Sequence, residues 1–142
     1  MGRLGEGNCP RLGTGAGTVK GGEPPPGIAL MVVGGSRDQT TPYPGAVAVH
    51  EAAEAPRYLV GVEGAGHFSF SDICGVIDQP MMLEDGCGEG FRPSEEVHAL
   101  TNRLVGPFLD LHLRGDARAA EALLPAAVAG ELGEAVEYRA DP

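Results

Sequence analysis

Positive charge is what this chain has little of. Its 10 lysines and arginines stand against 20 aspartates and glutamates, which gives a formal net charge of -10 at pH 7. Nucleic acids and anionic membrane surfaces attract basic proteins. The charge therefore argues against a nucleic-acid partner and against docking on an anionic membrane.

Long apolar runs are also missing. A membrane-spanning helix needs about 20 consecutive apolar residues, and the sequence contains no such run. The first residues lack the basic segment and apolar core that are typical of a signal peptide. We therefore predict no transmembrane segment and no signal peptide in this chain.

Metal-ligand spacings are absent too. The 4 histidines and 3 cysteines form neither His-x-x-x-His nor Cys-x-x-Cys. A metal site built from the histidines with Asp38 or Cys74 is the weaker alternative, and we predict no metal and no cofactor. Cys74 and Cys87 could form a disulfide or remain two buried thiols, while Cys9 stands apart. A disulfide would require an oxidising compartment.

The composition indicates one globular domain, with 142 residues of which 42% are hydrophobic. Residues 1–27 are rich in glycine and proline, and we interpret them as a flexible lead-in. Their stretch Gly13–Thr18 mimics part of a phosphate-binding loop, but no strand precedes it and no Gly-Lys-Ser/Thr ends it. Residues 28–130 should form the folded domain, and residues 131–142 an acidic, frayed tail.

A β-α-β pattern organises the folded domain. Apolar runs at 28–33 and 57–62 predict two buried parallel strands, with a helix over about 45–55 between them. Each run is followed by a polar residue of catalytic type, Asp38 after the first and His67 after the second. Ligands of open α/β sheets bind at the carboxyl ends of the strands, so this placement is informative.

Each of these polar residues has two interpretations. Asp38 is either a turn-forming residue or a carboxylate that accepts the imidazole Nδ1–H. His67 is either a hydrogen-bonded loop histidine or a general base. Their pairing favours the catalytic interpretation of both. His50, inside the predicted helix, is expected at the surface or partly buried rather than as a ligand.

Downstream residues predict a loop and two helices. Met81, Met82 and Leu83 form an apolar cluster in a long loop, where they either staple the loop to the core or line an acyl pocket. Ser94 is the predicted N-cap of an amphipathic helix that is kinked at Gly106-Pro107 and ends at Leu113-Arg114-Gly115. A short helix over 117–124 follows.

The two strand ends carry a family resemblance. The strand followed by Gly34-Gly35-Ser36-Arg37-Asp38, and the next strand followed by Gly64-Ala65-Gly66-His67-Phe68, resemble the C-terminal part of an α/β-hydrolase. The most similar subgroup is the esterases of the dienelactone hydrolase and platelet-activating-factor acetylhydrolase type. The resemblance covers about residues 27–125. It implies that Asp38 is the triad acid, that His67 is the base, and that the intact enzyme cleaves a small-molecule ester or lactone.

The nucleophile of such an enzyme is missing from the sequence. It would lie in Gly-x-Ser-x-Gly, or the same motif with cysteine. No cysteine fits this motif, and neither does any serine, namely Ser36, Ser69, Ser71 and Ser94. We therefore expect an α/β fold that corresponds to the last two core parallel strands of a hydrolase with their flanking helices, inactive alone. The alternative is a non-catalytic α/β module that associates with a partner or with itself through an exposed strand edge.

Overall fold

The computed structural model describes residues 27–76 and 84–142. Three sequence interpretations lie outside these residues. They concern nearly all of the lead-in with its glycine stretch Gly13–Thr18, the separate Cys9, and the apolar cluster Met81-Met82-Leu83.

The described residues form a three-stranded mixed sheet. Strand β1 spans Leu30–Gly35, β2 spans Arg57–Val62 and β3 spans Val136–Asp141, in the spatial order β1-β2-β3. β1 pairs with β2 in parallel, and β3 pairs with β2 in the antiparallel direction. The predicted α/β class agrees with this sheet and its flanking helices, and both predicted strands are present, the first shifted two residues towards the C-terminus.

The prediction of a frayed acidic tail is wrong. Its residues Val136–Asp141 form β3, in which Val136 is 8% exposed and the Tyr138 hydroxyl donates to Leu123 O at 2.9 Å. Val136, Tyr138 and Ala140 pack against the core, and the residues between them are charged. This alternation is the period of a half-buried strand. The overall acidity of the tail concealed it.

Within the described residues, three α-helices accompany the sheet. Helix α1 spans Tyr43–Ala52, α2 spans Ser94–Arg114 and α3 spans Pro125–Leu132. Short 3₁₀ turns cover four further segments, which are His67–Phe70, Asp72–Gly75, Ala117–Leu123 and Gly133–Ala135. The sequence interpretation missed α3, and its short helix over 117–124 is a 3₁₀ turn.

Helix α2 corrects one further expectation, the identity of its cap, while the kink at Gly106-Pro107 stays a prediction. Ser94 is its first helical residue and Pro93 precedes it as the cap, without a capping hydrogen bond from a side chain. Pro107 lies inside a helix that continues to Arg114. Gly115 ends it with φ of 69°, a left-handed conformation that glycine adopts without steric cost. The predicted end of the helix is confirmed.

Helices cover both faces of the sheet. On one face, Gly34 and Gly61 are register partners in β1 and β2, and the Tyr43 ring of α1 packs over both. A Cβ at Gly61 would lie 2.4 Å from the Tyr43 hydroxyl oxygen, so α1 sits too close to the sheet for a side chain there. The opposite face packs against α2 and α3.

The core is centred on β2. Its residues Tyr58, Leu59, Val60 and Val62 are at most 1% exposed, as expected for a strand with neighbours on both sides and helices on both faces. The side chains of α2 and α3 that complete the core are Val97, Leu104 and Val128. By contrast, the residues of β1 before Gly35 are only half-buried.

Replacing Leu104 tests the packing of α2 on the sheet. Leu104 is 1% exposed, so Leu104→Ala should lower the free energy of unfolding by about 2–5 kcal/mol. The matched control is Leu113→Ala on the same helix, because Leu113 is 77% exposed and its truncation should cost less than about 0.5 kcal/mol. Urea denaturation followed by circular dichroism measures both. Equal losses in the two variants would contradict the assigned core.

Candidate functional site: an aspartate–histidine pair at two strand ends

The parallel pairing of β1 and β2 brings the two predicted site residues together. Asp38 follows the end of β1, and His67 opens the 3₁₀ turn that follows β2. His67 Nδ1 lies 3.1 Å from Asp38 Oδ2, which is a hydrogen-bond distance. The sequence placed these residues at the same sheet edge, and the structure places them in direct contact.

A glycine lets the two loops approach each other. A Cβ at Gly35 would lie 2.3 Å from Ala65 O, so no other residue fits there without moving the backbone. The loop after β1 bonds to the end of β2 and to the loop that follows it: Ser36 N donates to Val62 O at 3.0 Å, and Arg37 N donates to Ala65 O at 2.9 Å. These bonds fix Asp38 beside the turn that carries His67.

The Asp38 carboxylate is buried, and both of its oxygens accept hydrogen bonds. The Asp38 side chain is 5% exposed and accepts hydrogen bonds from Thr41 N at 2.6 Å and from Thr41 Oγ1 at 2.8 Å. Because an ionised carboxylate only accepts hydrogen bonds, the neutral His67 ring carries its proton on Nδ1. That tautomer leaves Nε2 unprotonated at the opposite edge of the ring. The His67 side chain is 34% exposed, so this edge is open to a reactant.

Asp85 links the two site loops, and the sequence interpretation missed it. Its Oδ2 accepts from Gln39 N at 2.9 Å, from Thr40 N at 2.8 Å and from Thr40 Oγ1 at 2.9 Å. Its Oδ1 accepts from His67 N at 3.1 Å. One carboxylate therefore binds the loop of the acid and the backbone of the base. Asp85 lies in a glycine- and acid-rich loop with no motif, so the sequence held no signal for this role.

The protonation of Asp85 reflects these bonds. Burial acts to raise the pKa of Asp85, but the hydrogen bonds donated by His67 N, the Thr40 hydroxyl and the backbone N–H groups of Gln39 and Thr40 outweigh it. The pKa is therefore lowered from its ordinary value. The side chain stays a carboxylate at neutral pH.

The turn beneath His67 is packed against the Asp85 loop. Ser69 is fully buried, and its hydroxyl accepts from Gly66 N and donates to Gly86 O, both at 3.0 Å. Gly86 has φ of 122°, and a Cβ there would lie 2.6 Å from Ser69 N. Phe68 N also donates to Asp85 O at 2.7 Å. Ser69 is thus a structural residue whose hydroxyl holds two loops together.

Cys74 and Cys87 form a disulfide with their Cα atoms 5.3 Å apart. The sequence left a disulfide and two buried thiols open for this pair, and the structure has the disulfide. It joins the 3₁₀ turn Asp72–Gly75 to the loop that carries Asp85 and Gly86. Neither cysteine is then available as a thiolate nucleophile.

Three of the four described serines, Ser36, Ser69 and Ser71, are engaged in other hydrogen bonds. Ser36 Oγ accepts from Gly64 N and Ser71 Oγ donates to Phe68 O, both at 2.9 Å. Within residues 27–76 and 84–142, no serine hydroxyl forms a hydrogen bond with His67. The site therefore holds an acid and a base without a nucleophile from these residues.

His50 is buried rather than at the surface. It is 6% exposed, and neither ring nitrogen has a hydrogen-bond partner among the described residues. Burial, followed by the positive charges of Arg57 and Arg139, lowers the pKa of His50. His50 is thus a buried, neutral histidine of α1, and no described hydrogen bond joins it to the Asp38–His67 pair.

Three further structural features bear on the site. A cavity of about 500 Å³ is bordered by the disulfide, Arg92 and His98, but neither Asp38 nor His67 lines it. The described residues contain no cluster of three or more histidine, cysteine or acidic side chains able to hold a metal. No described helix has the length and apolar character needed to cross a membrane.

Comparison with known proteins returned no matching family model, no matching curated protein and no matching solved structure. The functional interpretation of the Asp38–His67 pair therefore depends on its residues and geometry.

Asp85 gives the protein a testable pH dependence. A carboxyl group whose pKa is lowered by folding contributes stability above its unfolded pKa of about 3.9, and this contribution is lost as the pH falls through the folded pKa. Asp85→Asn should therefore lower the free energy of unfolding at pH 7 by about 1–3 kcal/mol. The difference in free energy of unfolding between Asp85→Asn and the unmodified protein should become smaller in acid.

The control for this prediction is Glu89→Gln. Glu89 is exposed in the same loop, so its substitution removes the same charge without removing those four hydrogen bonds. Urea denaturation at several pH values measures both variants. A loss for Glu89→Gln as large as that for Asp85→Asn, or a loss that does not change with pH, would contradict the assigned role of the Asp85 carboxylate.

Proposed function

We propose that this chain supplies the acid and the base of a serine-hydrolase triad of the α/β-hydrolase type, in an enzyme that cleaves carboxylic esters or lactones. One observation carries the proposal: a buried carboxylate orients a partly exposed histidine across the carboxyl ends of adjacent parallel strands. The acid precedes the base in the chain, which is the order of this fold.

The proposed chemistry assigns each group one task. His67 Nε2 takes the proton of a serine hydroxyl while the serine oxygen attacks the ester carbonyl carbon. The tetrahedral intermediate then collapses, and the leaving alcohol takes that proton from His67. Water repeats both steps and releases the acid. Asp38 holds the ring in the Nδ1–H tautomer and stabilises the imidazolium that forms.

The nucleophile comes, in this proposal, from a segment outside the described residues. Two observations support that placement. Ser36, Ser69 and Ser71 form structural hydrogen bonds, the two cysteines are bridged, and Ser94, at the start of α2, forms no hydrogen bond with His67. In addition, β1 pairs on one side only among the described strands, and its side chains are half-buried where those of β2 are buried. A strand beside β1 would complete its burial and would end near Asp38.

Ester hydrolysis tests the proposal. The purified chain should hydrolyse a short-chain p-nitrophenyl ester no faster than its His67→Ala variant, because it lacks the nucleophile. A protein extended at its N-terminus by the sequence encoded upstream should carry Gly-x-Ser-x-Gly and be active. In that protein, His67→Ala should reduce kcat/KM by about 10²- to 10⁴-fold.

His98→Ala is the matched control in the extended protein, because His98 lies on α2 away from the pair and should leave hydrolysis unchanged. Hydrolysis by the chain alone that depends on His67 would show that its own residues hold a nucleophile. An extended protein without the serine motif, or with hydrolysis that does not depend on His67, would overturn the assignment.

The β1 edge favours a second candidate function, self-association through strand pairing. Leu30 N and Ser36 N donate towards β2, so the N–H groups of alternate residues, including Met31, point away from it. Unpaired backbone groups on a strand edge pair readily with another chain. A second copy of the same chain could place its own β1 there.

A proline substitution at this edge tests the second candidate function, self-association through β1. Met31→Pro removes one outward N–H and should prevent self-association, while Met31→Ala truncates the same side chain and keeps the N–H. Size-exclusion chromatography with light scattering measures the mass of each. A monomeric unmodified chain, or identical masses for both variants when the unmodified chain associates, would exclude pairing through β1.

A further inference from the structure

We propose that Asp85 is the positioning residue of the Asp38–His67 pair and that the Cys74–Cys87 disulfide keeps it in place, so that reducing this disulfide releases the pair. The inference deepens the proposed function by adding control of the same site. Its test, however, observes His67 directly and does not require catalysis.

The first step of the argument is the position of Asp85 between two loops. Its Oδ2 binds three donors of Gln39 and Thr40, which directly follow Asp38, and its Oδ1 binds the backbone N–H of His67. The loops after β1 and β2 also touch directly. Arg37 N donates to Ala65 O at 2.9 Å, and Gly64 N donates to Ser36 Oγ at 2.9 Å. At His67 Nδ1, Asp38 Oδ2 lies at 3.1 Å and the Thr41 hydroxyl at 3.3 Å. Asp85 adds four further bonds, and they join the residues directly after Asp38 to the backbone of His67.

The second step is that Asp85 itself needs an anchor. It lies outside the helices and strands, and its side chain reaches His67 from a loop. Two features fix this loop beside the turn of His67. One is the close packing of Gly86 on Ser69, and the other is the disulfide from Cys87 to Cys74, which lies in the next 3₁₀ turn, Asp72–Gly75. Cys87 is two residues from Asp85.

The third step is that the disulfide is open to chemical change. Both cysteines are half-buried, so a small dithiol can reach the bond. Thiol–disulfide exchange breaks the S–S bond between Cys74 and Cys87 and forms an S–S bond within the dithiol. Two electrons and two protons pass from the dithiol to the protein, which then carries two thiols. The loop then keeps only its non-covalent contacts, and the hydrogen bond from His67 N to Asp85 Oδ1 weakens.

The experiment records the imidazole nitrogens of the chain by long-range ¹H–¹⁵N NMR at neutral pH. The other three histidines, His50, His98 and His112, serve as internal references. In the unmodified protein, His67 should show the Nδ1–H tautomer. Asp85→Asn places an amide N–H group against one of the donors and should cause loss of that signature at His67 alone. Glu89→Gln should leave all four histidines unchanged.

Reduction by a small dithiol should shift the His67 signals in the same direction as Asp85→Asn does. The double variant Cys74→Ser/Cys87→Ser should separately produce the same shift. If Asp85→Asn does not fold, Thr40→Val provides the test, because it removes only the 2.9 Å bond from the Thr40 hydroxyl to Asp85. It should produce a smaller shift of the same sign at His67.

The outcomes separate this inference from the proposed function. His67 signals that stay unchanged in Asp85→Asn or Thr40→Val would overturn the positioning role, whatever the esterase activity. Unchanged signals after complete reduction would overturn the role of the disulfide. Shifts of all four histidines together would indicate general unfolding and would also contradict it. A selective shift at His67 without any esterase activity in the extended protein would support the positioning while the hydrolase assignment failed.

Discussion

The parallel pairing of β1 with β2 brings the carboxyl ends of both strands to one edge of the sheet, and the Asp38–His67 contact depends on this placement. Residues on separate strand ends meet only if the strands run in the same direction and the loops fit closely. Gly35 provides that fit, since its missing side chain lets the loop after β1 lie on Ala65 O. The helices on both faces then bury β2 and fix the register.

A second layer of polar contacts turns this proximity into a defined geometry. The strands deliver Asp38 and His67, but the two loops are irregular and need bonds of their own. Asp85 accepts four hydrogen bonds from these two loops, and its own loop is anchored by Gly86 and the disulfide. The site thus depends on a segment far from both strand ends in the chain. This dependence is what connects the chemistry of the cysteines with the orientation of His67.

Much of this architecture could be predicted from local sequence pattern. The apolar runs gave both parallel strands, and the placement of Asp38 and His67 after them gave the contact between the two residues. The C-terminal end of α2 followed from Arg114 and Gly115. In each case the physical signal was a short pattern with one dominant cause: burial of a strand, or a glycine in a left-handed conformation.

The remaining features depend on contacts that sequence patterns do not encode. β3 is a short, charged alternation whose pairing with β2 is a long-range event, so its acidity suggested a tail instead. Asp85 gains its role only because two distant loops present N–H groups to it. Ser94 is the first residue of α2 and Pro93 is its cap, a one-residue difference that the local pattern does not specify. The family interpretation of the pair likewise remains a proposal, since it needs a nucleophile that the described residues do not supply.

The most direct test of the central claim is the protonation pattern of the His67 ring in the unmodified chain and in Asp38→Ala, observed by long-range ¹H–¹⁵N NMR. If Asp38 orients His67, the unmodified protein shows a single Nδ1–H tautomer with a downfield-shifted proton. Asp38→Ala then loses that proton signal and favours the Nε2–H form of free imidazole, with the other histidines unchanged. The same tautomer mixture at His67 in both proteins would contradict an acid–base pair at these strand ends.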